Sequence, residues 1–254
     1  MSRRRFYAHP GAFSHDDGSL ILEAEESRHL RDVLRLTPDD DVYVFDGEGK
    51  EFLCAINEIR RNFVKLKVIS QVEPARPESP LRLTLAAGLL KGEKFDLVVQ
   101  KTSELGIYQI IPLVTTLSDV YLREVSDAEK RVRRWQRIAL EAAKQSGRAF
   151  VPQIAQPEIF EVLVQRHNPT ADQRGIMFSE RNGHSLPILG ENSSQNPSAI
   201  VALVGPEGGW TDSEIDEARK AGWSIVTLGG RVLRAETSAI VVTALLQHLF
   251  GDLS

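Results

Sequence analysis

Two glycine-rich segments late in the chain place charged side chains on flexible backbone. They read LVGPEGGWTDSE at 203–214 and LGGRVLRAETSA at 228–239, and each follows an apolar run. Glycine lets the backbone approach a ligand closely or adopt φ values closed to other residues. The carboxylates of Glu207 and Glu236 would repel phosphate and suit a hydroxyl or an amine. The segments therefore favour a ligand that is uncharged or cationic where it meets them; two tight turns without a ligand are the alternative.

Neither segment carries a common phosphate-binding motif. No Gly-Lys-Ser/Thr follows, which excludes a Walker-type loop. The first turn of the α/β half reads AAGLLKGEKFD in place of G-x-G-x-x-G, so a dinucleotide-dependent oxidoreductase is disfavoured. The six histidines are scattered and Cys54 is the single cysteine, so no metal site is predicted.

The elements around these segments alternate between strand and helix. Apolar strands are predicted at 82–87, 109–114, 175–179, 199–204 and 224–229, and helices at 93–105, 127–146, 157–166, 212–221 and 237–250. This alternation predicts a mainly parallel sheet, and such sheets bind ligands beyond the carboxyl ends of their strands. Both glycine-rich segments lie at such ends. Thr211 and Glu214 are spaced as a capping box for the next helix, and GENSSQNPS at 190–198 is predicted to be a polar surface loop.

A proline-rich stretch divides the chain. EPARPESP at 73–80 has the composition of a short, stiff linker. Before it, VYVF and EFLCAI flank DGEG, a hairpin signal, and FVKLKV alternates apolar and basic residues. Residues 1–72 are therefore predicted to form a small β-barrel with one inserted helix, and residues 81–254 an α/β domain.

The composition limits the class of protein and its compartment. The 254 residues carry a formal net charge of −4, so contact with nucleic acid must come from local basic patches. The single cysteine excludes an internal disulfide and suits a reducing compartment. No apolar run at the start is long enough for a signal peptide, and none reaches the length of a membrane span. A cytoplasmic protein without membrane association is expected.

Three arginines before the linker are spaced as one face of a helix. Arg28, Arg31 and Arg35 lie at i, i+3 and i+7, which predicts a basic stripe. Such a stripe suits contacts with the phosphates of a nucleic acid, and a solvated face without a partner is the alternative. The opposite, apolar side of this helix is predicted to consist of Leu30, Val33 and Leu34.

The motifs taken together resemble a known family. The two glycine-rich segments, KGEKFDLVVQKTSELG at 91–106, EAAKQSGR at 141–148 and the N-terminal RRRFY and RHLRDVLRLTPDDDVYVFDG are similar to the RsmE family of 16S ribosomal RNA uracil-N3 methyltransferases. The resemblance covers nearly the whole chain. It implies an α/β, SPOUT-type trefoil-knotted domain with a mainly parallel sheet, preceded by a small PUA-like β-barrel domain. A proline commonly stands in this family where the present chain has Gly230.

The resemblance also implies a function and a set of partners. The expected activity is S-adenosylmethionine-dependent methylation of a uridine at N3 in the 16S ribosomal RNA of the small ribosomal subunit. A non-catalytic RNA-binding or ribosome-assembly protein with the same fold is the alternative. A homodimer is expected through the last helix, SAIVVTALLQHLF, which is apolar on nearly every side and must be buried within its domain or between chains. The implied cofactor-binding residues are Leu203, Gly205, Glu207, Gly208, Leu228, Gly229, Arg231, Val232 and Leu233.

Methylation of uracil N3 imposes two chemical needs on the site. The N3 proton must leave, and the anionic uracil must be stabilised as its charge develops. Arginine suits the second task because it stays charged and donates in a fixed fork. Arg234 is therefore predicted to be catalytic, with Glu236 orienting it or helping to accept the proton. An Arg234–Glu236 pair that only braces the loop is the alternative.

Further residues are predicted to contact RNA beside the arginine stripe. Arg3 and Arg5 belong to a basic N-terminal run, whose alternative is a frayed terminus. His29 borders the stripe and is equally consistent with a packed histidine. Arg148 lies in the QSGR motif that the resemblance singles out, just past Gly147, a predicted helix C-cap.

Overall fold

The chain forms two compact units. The computed structural model describes residues 3–14, 16–120, 124–186 and 196–253. The first unit comprises Met1–Glu78 with Leu140–Val151, and the second comprises Ser79–Ala139 with Pro152–Ser254. Residues 140–151, which the sequence places in the later domain, group with the first unit because their backbone pairs with its β-hairpin. The amide of Gly49 donates to the carbonyl of Ala149 at 3.1 Å, and that of Val151 donates to Gly47 at 2.9 Å.

The first unit is built on a curled, mainly antiparallel sheet. Its strands are β1 (Arg5–Tyr7), β2 (Ser19–Leu22), β3 (Asp41–Phe45), β4 (Glu51–Ile59) and β5 (Val64–Val72). They lie in the order β1-β3-β4-β5-β2, with only the β1–β3 pair parallel among those described. The predicted alternation in β5 is confirmed, since Val64 and Leu66 are fully buried while Lys67 is exposed. The predicted hairpin is confirmed too, with Gly47 and Gly49 at positive φ between β3 and β4.

A short helix interrupts this sheet between β2 and β3. The helix α1 (Ala24–Arg28) continues into one turn of π-helix at His29–Val33. Leu30 points into the core of the unit together with Phe6, Leu20, Val44 and Leu66. The apolar side chains of the sheet and of this inserted turn therefore pack into one hydrophobic core.

The second unit is a parallel sheet flanked by helices. Its strands are β6 (Arg82–Gly88), β7 (Gln109–Val114), β8 (Gln153–Ile154), β9 (Glu158–Ile159), β10 (Gln173–Phe178), β11 (His184–Ser185), β12 (Ala199–Val204) and β13 (Ser224–Thr227). Their order is β11-β13-β10-β12-β6-β7-β8, and β9 also pairs with β7. Every described pairing in this sheet is parallel. The predicted mainly parallel sheet is confirmed, and residues 190–195 of the predicted polar loop lie outside the described residues.

The remaining helices begin and end within three residues of the predicted positions. They are α2 (Lys94–Glu104), α3 (Val125–Ser146), α4 (Phe160–Arg166), α5 (Asp212–Lys220) and α6 (Ala235–Phe250). The predicted capping box at the start of α5 is confirmed. The Thr211 side chain accepts from the amide of Glu214, while the Glu214 carboxylate accepts from the amide of Thr211 at 2.8 Å.

The helix α6 is buried along one side only. Ala239, Val242 and Leu246 are buried, whereas Val241 and Leu245 are partly exposed and Leu249 is exposed. Polar contacts also hold this helix in place. The buried Gln247 accepts from the Ser79 hydroxyl at 2.7 Å and donates to the Gly106 carbonyl at 2.8 Å. The helix is thus fixed to residues far earlier in the sequence, and part of its apolar surface stays uncovered within this chain.

Candidate functional site

A cavity of about 580 Å³ opens at the carboxyl ends of three neighbouring strands, β10, β12 and β13. Its wall is formed by the segments that follow these strands, at 178–180, 204–210 and 227–236, together with Lys94 at the start of α2 and Ser238. Parallel strands deliver all their carboxyl ends to one edge, which is why segments distant in sequence meet there. The two glycine-rich segments therefore line the same cavity, as the sequence predicts.

The first glycine-rich loop is packed too closely for side chains at two points. A Cβ atom on Gly208 would lie 2.8 Å from the Cβ of Leu117, and one on Gly88, at the end of β6, would lie 2.5 Å from the nitrogen of Pro206. The loop ends at the buried Trp210, whose indole donates to the carbonyl of Phe178 at 2.9 Å. Backbone contact and this anchor hold the loop against the sheet edge.

The buried carboxylate of Glu214 continues this anchoring into α5. Its Oε2 atom accepts from the amide and the hydroxyl of Thr211, each at 2.8 Å. Its Oε1 atom accepts from the amide of Thr116 at 3.0 Å, which links the start of α5 to the turn after β7. The capping box thus fixes both the helix and the loop that leads into it.

One ion pair joins the first loop to α2. Lys94 Nζ lies 2.9 Å from Glu207 Oε1, and both residues line the cavity. Burial works to raise the pKa of Glu207, but the Lys94 ammonium and backbone N–H donors outweigh it and lower the pKa. The Glu207 carboxylate is therefore ionised at neutral pH. Lys94 was not among the residues predicted from the sequence, although its place after β6, the strand next to β12, marks the same sheet edge.

The second glycine-rich loop is more exposed. Gly229 and Gly230 have φ of +73° and +75°, a conformation that glycine adopts without strain. Val232 is 86% exposed at the cavity wall, which leaves an apolar side chain uncovered within this chain. The loop ends at Arg234, the N-cap residue of α6.

Arg234 and Glu236 both line the cavity, and neither is engaged with the other. Within the described ranges, no hydrogen bond or ion pair between the two side chains is present. The Oε2 atom of Glu236 is buried and accepts no hydrogen bond from any described residue. A buried acceptor without a protein donor is costly, so this oxygen in the cavity wall is free to accept a hydrogen bond from a molecule in the cavity.

All but one of the predicted cofactor-binding residues line this cavity. Leu203 is the exception, because its side chain is fully buried in the core of the second unit and does not line the cavity. Its backbone is paired in the sheet with Met177 and Ala86. The residues that do line the cavity are Gly205, Glu207, Gly208, Leu228, Gly229, Arg231, Val232 and Leu233.

Comparison with known proteins identifies the family. Residues 77–247 match the family described as RNA methyltransferase domain, and residues 22–69 match the RNA methyltransferase PUA domain. The ribosomal RNA small subunit methyltransferase E of Synechocystis is 33% identical over 236 residues, which are 92% of this chain and 74% of that protein. The chain belongs to the RsmE family. The Bacillus subtilis RsmE protein is 30% identical over 230 residues, 89% of each sequence.

Solved structures related to RsmE have the same fold over their whole length. The Neisseria gonorrhoeae RsmE, bound to S-adenosyl methionine, has a TM-score of 0.83 at 31% identity and covers 100% of both chains. A Legionella pneumophila structure with the bound cofactor SAM has a TM-score of 0.85 at 30% identity and the same coverage. The predicted fold class, a SPOUT-type trefoil-knotted α/β domain preceded by a PUA-like barrel, is confirmed.

The arginine stripe of this RsmE protein is not one helical face. The helix α1 ends at Arg28, a π-helical turn follows, and Arg35 lies beyond it with φ +51°. The i, i+3, i+7 prediction is therefore wrong, because the chain changes its pitch within the stripe. Of the predicted apolar side, Leu30 is buried in the core as predicted, whereas Val33 is 65% exposed and Leu34 is exposed as well.

The residues predicted to contact RNA differ in the exposure of their side chains and in the partners that these side chains already have. Arg28, His29 and Arg35 are exposed, and His29 also packs edge-on against Phe6 at 6.1 Å between ring centroids. Arg31 is occupied: its guanidinium binds the neighbouring Asp32 and donates to the carbonyls of residues 60 and 61.

Arg5 and Arg148 are structural residues rather than surface contacts. The guanidinium of Arg5 pairs with the buried Glu51 at 3.2 Å and donates to the carbonyl of Arg148 at 3.0 Å. Arg148 is buried and pairs with Glu78 at 2.7 Å. Arg3 also bonds Glu51 but stays partly exposed. The RNA-contact prediction is wrong for Arg5 and Arg148, because their guanidinium groups are buried and already paired, Arg5 with the buried Glu51 and Arg148 with the partly exposed Glu78.

This RsmE structure shows neither a membrane-spanning helix nor a metal-binding cluster among its described residues. In the described part of the chain, no helix combines the length and the apolar character needed to span a bilayer. The same residues contain no group of three or more His, Cys, Asp or Glu side chains able to hold a metal ion.

Proposed function

We propose that this protein transfers the methyl group of S-adenosylmethionine to N3 of a uridine in the 16S ribosomal RNA of the small ribosomal subunit. The observation that carries the proposal is the single cavity at the carboxyl ends of β10, β12 and β13, lined by both glycine-rich loops. Family membership supports it, since relatives are named ribosomal RNA small subunit methyltransferase E and a neighbouring structure holds the cofactor.

The residues of the cavity fit such a cofactor. Its volume lies in the range of small-molecule sites. The carboxylates of Glu207 and Glu236 suit a ligand that carries positive charge, and the loop backbones at 205–209 and 228–233 supply polar groups for an adenosine. When bound, the cofactor supplies an electrophilic methyl carbon on a positively charged sulfur.

Arg234 and Glu236 would perform the two tasks that uracil N3 requires. The Arg234 guanidinium would stabilise the negative charge that develops on the base as N3 loses its proton. The unpaired Oε2 atom of Glu236 would accept the N3 proton, since it lies in the cavity wall and has no donor among the described residues. Neither role needs a covalent intermediate.

The RNA would be held by the first domain. We assign residues 1–72 to RNA binding, 73–80 to a linker and 81–254 to the methyltransferase domain, of which residues 140–151 pack with the first unit. Arg28, His29 and Arg35 support the assignment because their side chains are exposed, with Arg3 as a partly exposed addition. A substrate that is ribosomal RNA or the assembled small subunit supports a cytoplasmic location.

The uncovered apolar residues support a homodimer. Val232, Val241, Leu245 and Leu249 are exposed or partly exposed on the second loop and on α6. Apolar surface of this kind is commonly covered by a second subunit. Sedimentation should therefore show a dimer at micromolar concentration, and a purely monomeric protein would contradict this part of the proposal.

Two measurements test the function. Calorimetry should show saturable binding of S-adenosylmethionine to the purified protein, whereas the alternative of a non-catalytic assembly protein predicts no binding. Mass mapping of ribosomal RNA from cells lacking the protein should then show the loss of one methyl group from a uridine of the 16S RNA. Addition of protein and cofactor to that RNA or to the subunit should restore it, and an unchanged methylation map would refute the proposed function.

A further inference from the structure

One ion pair in the cavity wall joins the first glycine-rich loop to α2, a helix outside both loops. Lys94 comes from the first turn of α2 and Glu207 from the loop after β12. Their charged atoms lie 2.9 Å apart, and the side chains are 39% and 28% exposed. Among the described cavity-lining residues, this is the only ion pair in which both partners face the cavity.

A ligand with a single charge would gain little from this pair. An anion would be attracted by Lys94 and repelled by Glu207, and a cation would meet the opposite combination. A group that carries both charges close together gains from both residues. In an α-amino acid the ammonium nitrogen and the carboxylate oxygens hang on one carbon and lie roughly 3 Å apart. That spacing matches the separation of the protein's own two charges.

We propose that Lys94 and Glu207 recognise the amino-acid end of the methyl donor, Lys94 binding its carboxylate and Glu207 its ammonium group. This inference rests on the proposed function and specifies which residues of the site distinguish the methionine portion of the cofactor from a plain nucleoside. Lys94 is thereby a specificity-determining residue.

The energetics favour such an exchange of partners. The Lys94–Glu207 contact is replaced by one contact from each residue to the ligand, so no charge is left unpaired. Both side chains are partly exposed, so opening their mutual contact costs little. Because the pair already holds the two charges at the cavity wall, little ordering is needed when the ligand arrives.

Four adenosine thioethers test the proposal without the complication of the sulfonium charge. They are S-adenosylhomocysteine, its analogue without the carboxylate, its analogue without the amine, and 5′-methylthioadenosine, which lacks both. Calorimetric Kd values are compared for the full-length wild-type protein, Lys94→Met and Glu207→Gln. Lys101→Met is the matched control, because Lys101 lies on the same helix and pairs with Glu104 outside the cavity.

Each substitution removes one charge of the protein. It should weaken only those ligands that carry the group which the replaced residue binds. Lys94→Met should weaken S-adenosylhomocysteine and the amine-free analogue about tenfold, and leave the other two ligands within twofold. Glu207→Gln should weaken S-adenosylhomocysteine and the carboxylate-free analogue about tenfold, without weakening the amine-free analogue or methylthioadenosine. Lys101→Met should change none of the four.

The outcomes separate this inference from the proposed function. Equal losses for all four ligands, or no loss for any, would overturn the assignment of the ion pair. If wild-type protein binds methylthioadenosine as tightly as S-adenosylhomocysteine, the inference fails while the cofactor site stands. If the wild-type protein binds none of the four ligands, the proposed function falls and the inference falls with it.

Discussion

Replacement of Glu236 by glutamine should stabilise the protein while removing most of its activity. The Oε2 atom of Glu236 is buried without a donor among the described residues, and an unsatisfied buried polar group costs about 1–3 kcal/mol, more if it is charged. The charge also lies in the first turn of α6, where the helix dipole favours a carboxylate by about 0.3–1 kcal/mol. Glutamine removes the charge but leaves a polar amide at the same place, so it relieves only the part of the burial cost that is due to the charge. That part exceeds the helix-dipole loss, so Glu236→Gln should raise the free energy of unfolding by up to about 1 kcal/mol.

The same substitution removes the proposed proton acceptor. General base catalysis contributes about 10²–10⁴-fold, so single-turnover methyl transfer to ribosomal RNA at saturating cofactor should slow at least a hundredfold. Stability is followed by denaturant unfolding and by Tm, which should rise by up to about 2–4 °C for a chain of this size. If Glu236 Oε2 is an unpaired buried acceptor that takes the substrate's proton, Glu236→Gln should both raise the stability and slow the methyl transfer.

Glu161→Gln is the matched control, since Glu161 also lies in the first turn of a helix, α4, but outside the cavity. It should lose only the helix-dipole contribution, lower the free energy of unfolding by a few tenths of a kcal/mol and leave methyl transfer unchanged. If Glu236→Gln destabilises the protein as the control does and retains turnover, the reasoning about the buried oxygen is wrong.

Three other predictions follow from the same structure. Arg234→Ala should reduce methyl transfer at least a hundredfold and leave calorimetric binding of the cofactor within about threefold, because the guanidinium acts on the base; near-normal turnover would reject its role. Arg28→Glu combined with Arg35→Glu should weaken RNA binding and reduce the slope of log K against log salt by about 1–2, since about one counterion is released per phosphate contact. An unchanged slope would assign these residues to a solvated face. Glu51→Ala should lower the free energy of unfolding by about 3–5 kcal/mol in denaturant titrations, because it leaves the mostly buried guanidinium of Arg5 without its carboxylate. A loss below about 1 kcal/mol would show that this buried pair contributes little.

The elements of the second unit could be predicted because their signals are local. Buried strands in a parallel sheet are continuous apolar runs, and AIVALV became β12 at the predicted residues. The capping box of Thr211 and Glu214 depends only on residues three apart, so it too was visible in the sequence. The glycine-rich loops met in one cavity because their strands are neighbours in the sheet, which the rule for parallel strands anticipates.

The errors arose where distant residues or an irregular turn decide the outcome. Nothing in the local pattern indicates that Arg5 pairs with Glu51 or that Arg148 pairs with Glu78, because the partners are 46 and 70 positions apart in the sequence. The arginine stripe failed because a π-helical turn and a residue at positive φ replace regular helix after Arg28. The knotted fold came from family resemblance alone, since periodicity carries no information on chain threading.

The backbone at Gly230 in the second glycine-rich loop excludes a proline. Gly230 has φ +75°, whereas the proline ring fixes φ near −65°. Gly230→Pro would therefore require this loop to rearrange.

The attachment of α6 to Ser79 and Gly106 governs how this protein can fold while it is being made. The buried Gln247 is synthesised about 140 residues after Gly106, the residue whose carbonyl it caps. The first unit has all its segments once Val151 has emerged, whereas the second must wait for the helix that ends at Phe250. At about 5–20 residues per second, the translating ribosome would carry a finished first unit and an open second one for about 5–20 s. During that interval the apolar surface of α2, β6 and β12 that α6 covers is exposed, so nascent chains of this enzyme should be clients for chaperones at the exit of the ribosome.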